Sequence, residues 1–128
     1  MAIGYDLASI RTAMLALIVT RAGNGALFRG YNGTRPATGA GITTQTLLFE
    51  LTCGTPFGTV TDDVLTITNP TPANASVTGS WTWWRVVKSD GTTFVMDGAS
   101  SDFTLSGTET QAGQPVTLTG LTITEGNP

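Results

Sequence analysis

The chain contains no histidine. That excludes Ser-His-Asp and Cys-His catalysis and most zinc sites, because the imidazole is the base in the first two and a ligand in the third. The single cysteine, Cys53, leaves no internal disulfide. It follows the apolar run Leu47 to Thr52 and reads as a small buried residue, not a nucleophile. Charge is scarce as well: charged residues make up 12% of the chain, six basic against nine acidic, for a net charge of −3. With no basic stripe to neutralise phosphates, a nucleic-acid partner is not expected. The apolar run Ala13 to Val19 has seven residues, far short of the ~20 that span a bilayer. Arg11 precedes that run, but Asp6 precedes Arg11, and Arg21-Ala22-Gly23-Asn24 is a poor cleavage site. A cytoplasmic product with no signal peptide and no membrane partner is therefore expected.

Other chemistries fail on spacing. The Gly-rich stretch Tyr31 to Gly41 lacks the Lys-Ser/Thr pair of a phosphate loop, and Pro36 interrupts it. Asp62 and Asp63 are adjacent, so their side chains diverge, and the further oxygen ligands of a calcium loop are missing. Nothing in the spacing of the nine acidic residues favours a pair of carboxylates facing across a cleft. No cofactor, no metal and no enzymatic activity are expected.

What is present points to β-structure. Glycine occurs 16 times, threonine is over-used, and Val, Leu and Phe are scattered between them, the mark of many short strands and turns. The length of 128 residues fits one domain, with a helix over 5–22 and a β-sandwich over 26–125. Asp6 is placed to cap the helix and Gly23 to end it. Leu7, Ile10, Met14 and Leu17 recur at helical spacing and mark one apolar face. Leu15, Ile18 and Val19 add apolar surface outside that stripe, so the helix is apolar nearly all round and needs cover on several sides. Either it tucks against a loop or the end of the sandwich, or it docks on a partner or a second copy.

Strands are expected at Ala26–Asn32, Thr46–Thr52, Val64–Thr68, Phe103–Ser106 and Pro115–Glu125, with a β-bulge in the last at Thr119-Gly120, and Gly107–Gln114 reads as polar loop. The Pro-bearing connection Asn69 to Asn74 suits a crossover. The densest stretch is Gly79 to Gly98, which holds all three tryptophans. It predicts a hairpin: a strand from Ser80 to Lys88, a turn at Ser89-Asp90-Gly91-Thr92, and a return strand from Thr93 to Asp97. In regular alternation Trp81, Trp83, Arg85 and Val87 share one face, and Thr82, Trp84, Val86 and Lys88 the other. Large apolar side chains on both faces call for cover on both. One face is expected in the core, the other against the N-terminal helix or a neighbouring subunit. The fold class expected is mainly β, a jelly-roll-like antiparallel β-sandwich with one N-terminal helix.

Four segments taken together, with the N-terminal helix, carry a family resemblance: Tyr31-Asn32-Gly33-Thr34-Arg35-Pro36-Ala37-Thr38-Gly39, Trp83-Trp84-Arg85-Val86-Val87-Lys88-Ser89-Asp90-Gly91, Val95-Met96-Asp97-Gly98 and Leu121-Thr122-Ile123-Thr124-Glu125-Gly126-Asn127. The chain resembles small proteins from the structural-gene clusters of tailed bacteriophages and prophages. The resemblance implies a virion component: a decoration (cement) protein on the outer capsid surface, partnered by the major capsid protein and forming a homodimer or higher homo-oligomer. It brings no catalytic residues. The contact surface expected comprises Leu15, Ile18 and Val19 of the helix, Arg35 free to meet a partner carboxylate, and Trp81, Trp83 and Trp84. A tail or baseplate component is the alternative. A carbohydrate-binding module is a second, because a row such as Trp81 and Trp83 can stack on sugar rings.

Overall fold

The computed structural model describes residues 10–62, 64–103 and 109–124. After the helix α1 (Thr12–Ala22) come β1 (Leu27–Tyr31), β2 (Leu47–Thr52), β3 (Gly58–Thr61), β4 (Val64–Ile67), β5 (Ala73–Asn74), β6 (Gly79–Ser80), β7 (Trp83–Val87), β8 (Phe94–Ala99), β9 (Glu109–Thr110), β10 (Pro115–Val116) and β11 (Thr122–Thr124). All pairings are antiparallel. A four-stranded sheet runs β2-β1-β7-β8 and a three-stranded sheet β11-β4-β3, with two short pairs, β10-β5 and β6-β9. This is a mainly β, sandwich-like fold with one N-terminal helix, as the sequence predicts. The described pairings do not give the two four-stranded sheets of a jelly roll.

The core lies between the two sheets. Alternation sends Phe28, Phe49, Leu51, Trp84 and Val86 inward from the larger sheet to meet Leu65 and Ile67 from the smaller. The centre is aromatic. Phe28 stacks on Trp84 with centroids 5.4 Å apart and on Phe49 at 6.4 Å, and Trp81 stands edge-on to Phe49 at 5.5 Å. Phe103 closes the cluster against Trp84 at 5.1 Å. Two glycines make room for these rings. A Cβ on Gly30 would lie 2.2 Å from the Phe49 ring, and one on Gly98 2.6 Å from the Trp84 ring. Cys53 is buried beside this core, and burial pushes its thiol up from 9.0 to about 12.

The predicted hairpin forms with a turn of the expected composition. Gly91 takes φ 77, and Gly91 N–H donates to the Lys88 carbonyl at 2.9 Å. The Asp90 carboxylate accepts from the Thr92 and Thr93 amides at 2.8 Å each and from the Thr93 hydroxyl. Those hydrogen bonds hold its carboxyl well below the usual range. The strands differ in one respect. Between Ser80 and Trp83 the chain leaves the β6–β9 pair and enters the four-stranded sheet. Regular alternation is broken there, so Trp81 turns into the core while Trp83 points to the opposite side of the sheet.

The remaining differences have similar causes. Pro115–Glu125 is two short strands in different sheets, β10 on β5 and β11 on β4, with Gly120 at φ 66 between them. The irregularity at Thr119-Gly120 is thus a change of sheet, which permits the phase slip a bulge was expected to supply. Within the stretch read as polar loop, Glu109–Thr110 pairs with β6. The crossover after β4 runs along the edge of β2, with Thr71 N–H on the Thr52 carbonyl and Ser76 N–H on the Leu48 carbonyl, at 2.9 and 2.8 Å. It thereby satisfies backbone groups of an edge strand. Asp6, Leu7, Asp63, the strand proposed beyond Phe103 and the tail from Glu125 lie outside the described residues.

Candidate interaction surfaces

α1 ends as predicted. Gly23 takes φ 66 and its N–H bonds the Val19 carbonyl at 3.1 Å. The helix packs on β3 and β4 and reaches β8. The Thr12 hydroxyl donates to the Asp62 carbonyl at 2.5 Å, and Arg21 donates from Nε and Nη2 to the Phe94 carbonyl at 3.2 and 3.1 Å. One end is therefore tied to the smaller sheet and the other to the larger.

The orientation reverses the expectation. Leu15 is 1% exposed in the core beside Ala22, with Ile18 and Val19 packed partly buried against it. These residues are not a free contact surface. Residues 15, 18, 19 and 22 form a complete i, i+3, i+4, i+7 set, and that set fills the end of the sandwich. The face left outside is Ile10, Met14 and Leu17, at 45%, 38% and 67% exposure. These three account for most of the large exposed hydrophobic side chains among the described residues; the others, Ile42 and Val77, stand apart in loops.

The tryptophans are likewise internal. Trp81, Trp83 and Trp84 are all buried, and each indole N–H donates to a backbone carbonyl: Trp81 to Trp83, Trp83 to Asn32 and Trp84 to Ala99. Trp81 and Trp83 do not share a face and offer no exposed platform for a sugar ring. Every residue of β7 is buried, so the two-sided cover that the sequence demanded is present. The outer face is covered from within the chain. Trp83 stacks on Tyr31 with centroids 4.5 Å apart, and the loop after β1 folds back over the sheet. Gly39 sits against the Phe94 ring, its N–H donating to Asp97 Oδ2 at 3.2 Å.

Under that loop lies a row of charges that the sequence reading missed. Strand register sets Glu50 opposite Arg29, Arg29 opposite Arg85, and Arg85 opposite Asp97, and directly paired residues share a face. Arg29 Nε lies 2.7 Å from Glu50 Oε2, and Arg85 Nη2 lies 3.1 Å from Asp97 Oδ2. Arg35, expected to await a partner carboxylate, places Nη1 3.9 Å from Asp97 Oδ1. The signal available in the sequence was Arg85 itself, a lone charge inside the run Trp81 to Val87.

Among the described residues no group of three His, Cys, Asp or Glu side chains is placed to hold a metal ion. No described helix is long and apolar enough to cross a membrane. No family model, curated protein or solved structure matches this chain.

Proposed function

We propose that this protein is a structural component of a tailed-phage virion, a decoration protein that binds the outer capsid surface and bridges major capsid subunits. The resemblance carried by the four segments supplies the context. The observation that carries the mechanism is the exposed apolar stripe of Met14 and Leu17 on a helix pinned to both sheets, extended by Ile10 in the turn just ahead of it. A helix fixed in this way presents its outer face without further ordering, which lowers the entropic cost of docking. Contact with the shell or with a second copy removes that stripe from water, and ~25 cal/mol per Å² of apolar area drives it.

The test is co-sedimentation with purified phage heads, comparing the wild-type chain with Leu17→Glu. Leu17 is 67% exposed, so the variant folds. The wild type is expected to pellet with heads and the variant to stay in solution. Equal pelleting of both, or of neither, sinks the helix-docking mechanism. A tail or baseplate position uses the same surface on a different ring; pelleting with tails in place of heads would select it.

A further inference from the structure

The chain has six basic residues, and three of them, Arg29, Arg35 and Arg85, meet on the outer face of the larger sheet, where Glu50 and Asp97 are their ion-pair partners among the described residues. The local balance, three cations against two anions, is one positive charge in a chain of net charge −3. A cavity of about 300 Å³ opens at this place, between the sheet and the segment 39–42. Arg29, Arg85, Tyr31 and Phe94 line it together with that backbone. The volume suits a small ligand.

Arg85 is the distinctive group. Its side chain is 8% exposed, and its guanidinium carbon lies 5.3 Å from the ring centroids of both Trp83 and Phe94. Flanking rings leave the edge of a guanidinium for hydrogen bonding, the edge that matches a carboxylate. On that edge Nη2 donates to Asp97, while Nε is buried without a hydrogen-bond partner. Leaving a buried N–H of a charged group unpaired is costly. Asp97 Oδ1 is also buried without a hydrogen bond, Arg35 standing off at 3.9 Å. The cluster is thus short of one acceptor, at Arg85 Nε, and one donor, at Asp97 Oδ1, and it carries one positive charge more than its carboxylates neutralise.

We propose that this cleft is a carboxylate-binding site. A single carboxylate, on a small free acid or on an Asp or Glu side chain of a partner protein, engages the Arg85 edge and draws Arg35 inward. Its carbon chain rests against Tyr31 and Phe94. A monoanion fits the excess of one positive charge; a phosphate dianion overshoots it and meets Asp97. The site needs no assembly, so it stands or falls apart from the reading of the helix.

The test is NMR of the whole ¹⁵N-labelled chain, following the arginine Nε–H resonances. Sodium acetate probes the free acid, N-acetyl-glutamate-α-amide probes the side chain, and sodium chloride and acetamide serve as controls. A saturable shift of the Arg85 resonance with a carboxylate, and with neither control, is expected. Response to both carboxylates admits a partner side chain; response to acetate alone restricts the site to free acids. Arg35→Gln is expected to weaken binding roughly two- to fivefold, in keeping with a solvent-screened charge. Because Arg35 is well exposed, that variant keeps the fold. No saturable shift up to about 100 mM carboxylate, a binding energy of little more than 1 kcal/mol, overturns the proposal. So does an equal response to chloride or acetamide, or affinity unchanged by Arg35→Gln.

Discussion

Replacing Trp84 by alanine tests how the hairpin is used. Trp84 is 3% exposed, stacks on Phe28, meets the Phe103 ring at a tilt, and donates its indole N–H to the Ala99 carbonyl at 3.0 Å. Burying a Trp removes roughly 150–250 Å² from water, about 4–6 kcal/mol of gross transfer energy at ~25 cal/mol per Å². That figure is an upper bound, because unfolded chains already bury part of their surface. Large-to-small aromatic substitutions in cores cost about 3–5 kcal/mol, and the five-ring cluster has no spare side chain to fill the void. A domain of this size holds on the order of 5–15 kcal/mol in all. At a urea slope of about 2 kcal/mol per M, the unfolding midpoint of Trp84→Ala should fall by roughly 2 M. Trp83→Ala should also lower it, by about 1–2 M for a cost of about 2–4 kcal/mol, since Trp83 is 1% exposed within the same chain. A Trp84→Ala midpoint within ~0.5 M of wild type would refute the core placement. An unchanged midpoint for Trp83→Ala, with assembly lost, would show that Trp83 faces a partner.

Other substitutions separate further parts of the structure. Leu15→Ala should cost about 2–4 kcal/mol by chemical denaturation, whereas Leu17→Glu should stay within about 0.5 kcal/mol, because the first fills the core and the second is in water; the reverse order would mean the helix is turned the other way. Gly30→Ala forces a methyl into the Phe49 ring and should destabilise by about 1–3 kcal/mol, read as a lower thermal midpoint. Cys53 should resist thiol reagents in the native chain at pH 8 and react on unfolding. Its folded value, about 12, lies above its ordinary 9.0, so the stability it contributes is complete below pH 9 and is lost as pH rises towards 12. A flat stability profile across that window would place Cys53 in water.

Much of the fold was legible in the sequence, and the misses have local causes. The Asp90-Gly91 turn marked the hairpin because its backbone conformation selects those residues. Gly23 marked the helix end in the same way. The helix face was misread because two apolar stripes overlap on one helix. Ile10, Met14 and Leu17 have helical spacing too, and only the tertiary contacts decide between them. Trp81 was misplaced because the switch of sheets at residues 81–82 carries no Gly or Pro to announce it. The charge row depended on register across strands more than fifty residues apart, Arg29 facing Arg85. Even within the hairpin, the shift between Val86 and Val87 changes the partner of Arg85 by one residue, from Met96 to Asp97. Composition gave the scarcity of charge but not its gathering on one face.

The central claim is a place in the virion, and immunogold electron microscopy of intact particles tests it most directly. Antibody raised against the purified chain should label heads, over the whole capsid surface. Label confined to tails, or absent from particles altogether, would contradict it.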